Sequence, residues 1–247
     1  PVEDQPDAHA IYDRMIASWR KLDSFGYTGR YICGAKGKAH TECTYQARLK
    51  KPNFFRIDAE SRILPTQAGI LIGDGERLWI HWPYGRIKFD ADDPEEYEKT
   101  RLRSYYTKPA PPGGHSIGHE TALTGSGLGM PVLDPSTFFG YTDSLQEYLD
   151  GVRSMGSEEI AGEPCDRIEV SIMKHQRSWY LWISQRDYLP RKLLQVVRVS
   201  YDIIMSEEWS SLAVNVDMPD ELFAWKPPED WVAWQLPRPE ERLLKPG

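Results

Sequence analysis

Cysteine is scarce in this chain. Three residues in 247, Cys33, Cys43 and Cys165, are too few for a disulfide scaffold, and their spacing fits no zinc or C-x-x-C pattern. No run of eighteen apolar residues occurs, which excludes a membrane-spanning helix. Positive charge is not in excess either. The formal net charge is −7, whereas a nucleic-acid partner requires a basic face. The local basic groups, Arg48 with Lys50 and Lys51, and Arg101 with Arg103, lie among acidic or apolar neighbours and read as solvated strand ends. The chain starts at Pro1 with no signal peptide before it, which reads as a mature or trimmed form.

What the chain has instead is aromatic residues, including nine Trp and thirteen Tyr. Rings of this kind suit strands, cores and the walls of ligand cavities. Hydrophobic and charged fractions of 40% and 27% are those of a globular chain, not a disordered one. No internal repeat is visible. Asp7 to Asp23 reads as an amphipathic helix, with Ile11, Met15, Trp19 and Leu22 in one stripe, Pro6 in its first turn and Gly26 beyond its end.

Strands follow at Tyr27–Cys33, Cys43–Leu49, Phe54–Ala59 and Ile70–Ile72, then a hairpin of Leu78–Trp82 and Arg86–Phe89. Residues 91 to 140 are first acidic and then rich in Pro and Gly. They read as a functional lid or binding loop, or as a surface excursion. A second helix is predicted from a capping box of Asp143 and Gln146, with Leu145, Tyr148, Leu149 and Val152 as its apolar stripe. Long strands close the chain at Asp166–Met173, Ser178–Ser184, Lys192–Tyr201 and Ile203–Val216. Such consecutive hairpins form an antiparallel meander that curls under its own twist. The tail after Phe223, rich in Pro and Trp, reads as extended.

Patterns that carry chemistry are few. Gly125-Ser126-Gly127-Leu128-Gly129 has neither the nucleophile-elbow nor the dinucleotide-binding spacing and reads as a flexible loop. His115 and His119 have metal-ligand spacing, but the glycines around them oppose a helix and no third ligand is near, so no metal site is expected. Asp92, Asp93, Glu95 and Glu96 beside Pro94 read as the solvated first turn of a helix. Six scattered histidines support no catalytic triad. The chain is read as a non-enzyme, with no catalytic residues and no cofactor.

Cys33 and Cys43 bracket a turn centred near Lys38. Symmetric pairing places them opposite each other, so a hairpin disulfide is expected if the chain is exported. Alternation nominates one apolar wall. Leu78, Ile80 and Trp82 share a strand face, Leu181 and Ile183 share another, Phe55 and Ile57 a third, and Trp19 lies on the helix that must cover something apolar.

Several segments, in order, resemble a bacterial family of predicted periplasmic proteins (DUF2092-like) within the LolA-like superfamily of lipoprotein carriers. They are Lys51-Pro52-Asn53-Phe54-Phe55-Arg56-Ile57-Asp58, Gly73-Asp74-Gly75-Glu76-Arg77-Leu78-Trp79-Ile80 and Glu158-Glu159-Ile160-Ala161-Gly162-Glu163-Pro164-Cys165. Then come Leu181-Trp182-Ile183-Ser184, Leu189-Pro190-Arg191-Lys192-Leu193, and Asn215 to Pro228. Ser184 departs from the Asp the family often has there.

The resemblance implies a mainly β (α+β) fold, an unclosed half-barrel of about eleven antiparallel strands with helices over its concave face. It would occupy residues 1–237, with 238–247 as an extended tail leading to a further domain. It also implies an apolar cavity for acyl chains, with Lys51 latching the lid. The expected function is a monomeric periplasmic or secreted module binding apolar ligands, with lipid, acylated protein or envelope proteins as partners. The alternative is a sensor or scaffold domain of a larger envelope protein, before a thioredoxin-like domain, without a ligand of its own.

Overall fold

A computed structural model describes residues 2–61, 69–75, 77–81, 102–106, 135–140, 148–226 and 234–235. Helix α1 (Pro6–Arg20) opens the chain, with Pro6 and Asp7 in its first turn and Arg20 in its last, as the helix dipole favours. Strands β1 (Ser24–Ala35), β2 (Lys38–Lys50), β3 (Phe54–Ser61), β4 (Gly69–Asp74), β5 (Arg77–His81) and β6 (Leu102–Tyr106) follow. The short helix α2 (Pro135–Phe139) precedes β7 (Leu149–Ile160), β8 (Glu163–Ile172), β9 (Arg177–Ser184), β10 (Pro190–Arg198) and β11 (Asp202–Val214). A 3-10 turn at Asp220–Phe223 and the two-residue β12 (Trp234–Gln235) end the described chain.

All twelve strands join one sheet in the order β12-β6-β5-β4-β3-β2-β1-β11-β10-β9-β8-β7. Every pairing is antiparallel except β12 with β6, and β12 and β7 remain as separate edges, so the sheet does not close. Helix α1 crosses one face of this open sheet. Its N-terminal end meets β7, where Gln5 N–H donates to Val152 O, and near its C-terminal end Trp19 lies 6.3 Å from the Phe25 ring on β1 and 6.1 Å from Trp209 on β11. An unclosed antiparallel sheet with helices over one face is the architecture expected from the sequence.

Alternation assigns the two faces. Phe25, Tyr27 and Tyr31 of β1, Cys43, Tyr45, Ala47 and Leu49 of β2, and Phe55, Ile57 and Ala59 of β3 are buried under the helices. On α1 the deepest residues are Tyr12, Met15, Ile16 and Trp19, while Ile11 is only half-buried, so the stripe is turned slightly from the predicted one. The opposite face is crossed by residues 215–226. Asn215 N–H donates to Ser24 O, Lys50 Nζ donates to Met218 O at 2.7 Å, and Phe223 packs on Phe54.

Three expectations are corrected. Cys33 and Cys43 are not opposite each other, because the β1–β2 turn is centred on Lys36 and Gly37, both at positive φ, and a bulge interrupts the ladder at Cys33/Gly34. Cys33 pairs with Thr41 and Tyr31 with Cys43, and no disulfide joins the two cysteines. The predicted helix around Leu149 and Val152 is strand β7 from Leu149 onward, paired with β8, so tertiary pairing overrides the local stripe. Within the span read as a loop, Leu102–Tyr106 form β6 and Pro135–Phe139 form α2. Residues 91–101 and 107–134, the capping-box residues Asp143 and Gln146, Leu145, the strand Arg86–Phe89, Trp82, His115, His119 and the 238–247 tail lie outside the described residues.

Candidate functional site

The register brings several of the nominated positions to the helix-covered face. Phe55 pairs with Gly73, which pairs with position 78, and Ile57 pairs with Leu71, which pairs with position 80. Phe55, Ile57, Leu78 and Ile80 therefore occupy register positions of one face. On the other half of the sheet, Leu181 stands between Ile168 and Leu193, and Leu193 continues through Glu207 and Tyr31 to Cys43. Leu181 and Ile183, both fully buried, lie on that same face.

Trp19 is fully buried at its centre, 6.1 Å from Phe138 of α2 as well as against Phe25 and Trp209. Tyr27 stacks on Trp209 at 4.1 Å, and Phe139 of α2 reaches Phe55 at 6.1 Å.

Lys51 joins the covering helices. Its ammonium donates a hydrogen bond to the Arg20 carbonyl at the end of α1 and lies 5.1 Å above the Phe138 ring centroid. Arg20 Nε donates to the Thr137 carbonyl beside it. Burial lowers the Lys51 pKa from its ordinary value, and Asp23 opposes that shift.

Polar groups break this otherwise apolar layer. Glu207 is buried on β11, where Trp209 Nε1 donates to its Oε1 at 2.5 Å while Oε2 has no partner. Burial pushes its carboxyl up to about 8, so it is mostly protonated at neutral pH. Gln195 Oε1, Trp179 Nε1 and Trp19 Nε1 are likewise buried and unpartnered. Such atoms cost about 1–3 kcal/mol each, so this layer is not shaped as plain hydrocarbon core.

Burial raises the Tyr31 hydroxyl, with Cys33 adding to it, and pushes the Cys43 thiol up to about 12. Sequence reading missed Glu207, yet alternation carried a signal, since it falls in phase with Met205 and Trp209 on one strand face.

Elsewhere the chemistry is sparse. Among the described residues no group of three or more His, Cys, Asp and Glu could hold a metal ion. Two open cavities, of 420 and 330 Å³, lie on the opposite face beside the 215–226 crossing. Arg48, Arg56 and Asp58 on their walls are bound to one another by ion pairs of 3.3 and 2.9 Å.

The profile of the predicted periplasmic protein family DUF2092 matches residues 97–234, more than half of the chain. The chain belongs to this family. The DUF2092 assignment agrees with the predicted periplasmic family read from the sequence and with the periplasmic location expected there. No helix among the described residues is long and apolar enough to cross a membrane. No curated protein matches the chain in sequence.

Among solved structures, an uncharacterised conserved protein of Thermus thermophilus is similar at 8% identity and a TM-score of 0.52, over 93% of this chain and 99% of that one. At such identity the likeness shows the fold alone. The LolA superfamily protein NE2245 of Nitrosomonas europaea aligns over 88% of this DUF2092 chain and 97% of its own, at 12% identity and a TM-score of 0.39. Pseudomonas aeruginosa MucB, solved in complex with MucA, aligns at 15% identity and a TM-score of 0.47 over 89% of this chain. The DUF2092 chain spans 61% of the length of that MucB chain and 64% of another.

Proposed function

We propose that the protein is a non-enzymatic periplasmic module that binds apolar ligands, acyl chains of lipid or acylated protein, between its helices and its curled sheet. The observation that carries this reading is the convergence of Phe55, Ile57, Leu181 and Ile183 with the positions of Leu78 and Ile80 on one face beneath Trp19. Trp82 continues the same alternation. A ligand would enter by displacing α1 and α2 from the sheet, and Lys51, bonded to the end of α1 and seated on α2, is the latch that this displacement opens.

A second reading has its own support. Trp19, Leu181 and Ile183 are already fully buried, as in a scaffold or sensor domain whose face is ordinary core and whose partners are envelope proteins.

A titration with fatty acids of graded length, followed by tryptophan fluorescence, separates the two. Binding is expected in the micromolar range, tightening about fourfold per added CH₂, the equivalent of about 0.8 kcal/mol of burial, until the space is filled. Trp19→Phe should remove most of the signal and leave binding measurable by native mass spectrometry. No binding at any length overturns the carrier reading and leaves the scaffold one.

A further inference from the structure

Three hairpin tips meet at one end of the sheet. β1 runs into the turn at Lys36 and Gly37, β10 into the turn at 199–201, and β8 into the turn at 173–176. The antiparallel order β1-β11-β10-β9-β8 brings all three to the same side. They are tied together. Lys36 Nζ lies 4.7 Å over the Tyr201 ring. Arg198 N–H donates to Gln176 O at 2.9 Å, and its Nη1 to His175 O. Met173 N–H donates to Tyr148 O, and Asp150 accepts the N–H groups of Lys174 and His175 at 2.9 and 2.8 Å. The tips form one platform, not separate loops.

The composition of this platform is unlike that of the rest of the described surface. Of nine exposed large hydrophobic residues among those described, five are here: Tyr148, Met173, Val199, Tyr201 and Ile204. Val199 is the most exposed of the nine, at 54%. Beside them Lys36, Lys38 and Lys174 are exposed, with Arg177 and Arg198 half-buried behind. Against these stand Asp202, and Asp150, which is spent on backbone N–H groups. A chain of net charge −7 thus gathers positive charge where its apolar side chains protrude. The opposite end exposes Glu158 and Glu159. Apolar and aromatic tips ringed by lysine match a bilayer interface, where the rings reach headgroup depth and the ammonium groups meet lipid phosphate.

We infer that this end docks the protein on an anionic lipid bilayer, with Met173, Val199 and Tyr201 entering the headgroup layer and Lys36, Lys38 and Lys174 pairing with its phosphates. The docking does not depend on whether the helix-covered face takes a ligand.

Co-sedimentation with vesicles tests it. The protein should bind phosphatidylcholine vesicles containing phosphatidylglycerol, bind pure phosphatidylcholine at least tenfold more weakly, and lose affinity with added salt. Lys36→Gln and Lys174→Gln should each cost about fivefold. Val199→Ser with Tyr201→Ser should cost at least as much at low salt, with unchanged thermal unfolding and unchanged fatty-acid titration.

Absence of binding to the anionic vesicles overturns the inference, as does binding indifferent to both variant sets. Equal binding to soluble polyglutamate, insensitive to the Val199 and Tyr201 changes, would assign the platform to an acidic protein and also overturn it. Fatty-acid binding without vesicle binding would leave the ligand reading standing and remove only this one.

Discussion

Glu207 is the residue whose chemistry departs most from its sequence type. Its carboxyl titrates near 8 in the fold, against 4.5 for an ordinary glutamate, chiefly because burial disfavours the charge. Between these values the native state holds a proton that the unfolded chain releases. Stability therefore falls as pH rises from about 4.5 to about 8 and levels beyond it. Glu207→Gln, neutral at every pH, should remove this fall. Denaturant unfolding at pH 5, 7 and 9 should show the variant gaining steadily on the wild type, by on the order of a few kcal/mol at pH 9. A constant difference across the three pH values would mean that Glu207 ionises freely in the folded protein.

At the scale of elements, strand pairing rests on aromatic rings laid over glycines. Tyr45 faces Gly29 across β1 and β2, and a Cβ at Gly29 would lie 2.1 Å from its ring. Phe55 faces Gly73 across β3 and β4, where the distance would be 2.2 Å. Either Gly→Ala change must push a buried ring out of its rotamer, at about 1–3 kcal/mol. The cost of Gly73→Ala should shrink on a Phe55→Leu background, and a double-mutant cycle by chemical unfolding measures that coupling.

These pairings also explain which elements were legible. The strands of β1 to β4 and β8 to β11 announce themselves through period-two alternation, and α1 through its stripe. The stripe of Leu145, Tyr148, Leu149 and Val152 misled because its spacing is helical, and from Leu149 onward the β8 ladder overrides it. The cysteine pairing failed for a comparably small reason, a two-residue turn and one bulge that shift the register by two residues.

On the scale of the whole molecule, an open sheet must manage its edges. The N-terminal segment shields part of β7: Gln5 N–H donates to Val152 O at 2.8 Å, Asp4 Oδ1 accepts from Val152 N–H at 2.8 Å, and Ser154 N–H donates to Gln5 Oε1. Removing residues 2–5 bares these groups beside Val152. Size-exclusion chromatography with light scattering should then show concentration-dependent association beyond that of the intact chain. An unchanged mass would mean that the edge is protected by its own exposed charges.

The sequence by itself determined the class of the fold and which apolar residues share a strand face. Alternation is a local property, so Phe55, Ile57, Leu181 and Ile183 had to share faces within their strands wherever those strands went. It also bounded the chemistry, since three cysteines cannot build a disulfide scaffold and no apolar run is long enough for a membrane-spanning helix. Only the tertiary structure decided which strands adjoin, and hence that the separate apolar faces are one face. It alone buried Glu207 and Gln195 within that face, seated Lys51 between α1 and α2, and gathered three hairpin tips into one basic, apolar end. The physical reason is that register and curl are set by turns, bulges and twist summed over twelve strands. A shift of one residue in any of them, invisible in composition or periodicity, redirects every side chain beyond it.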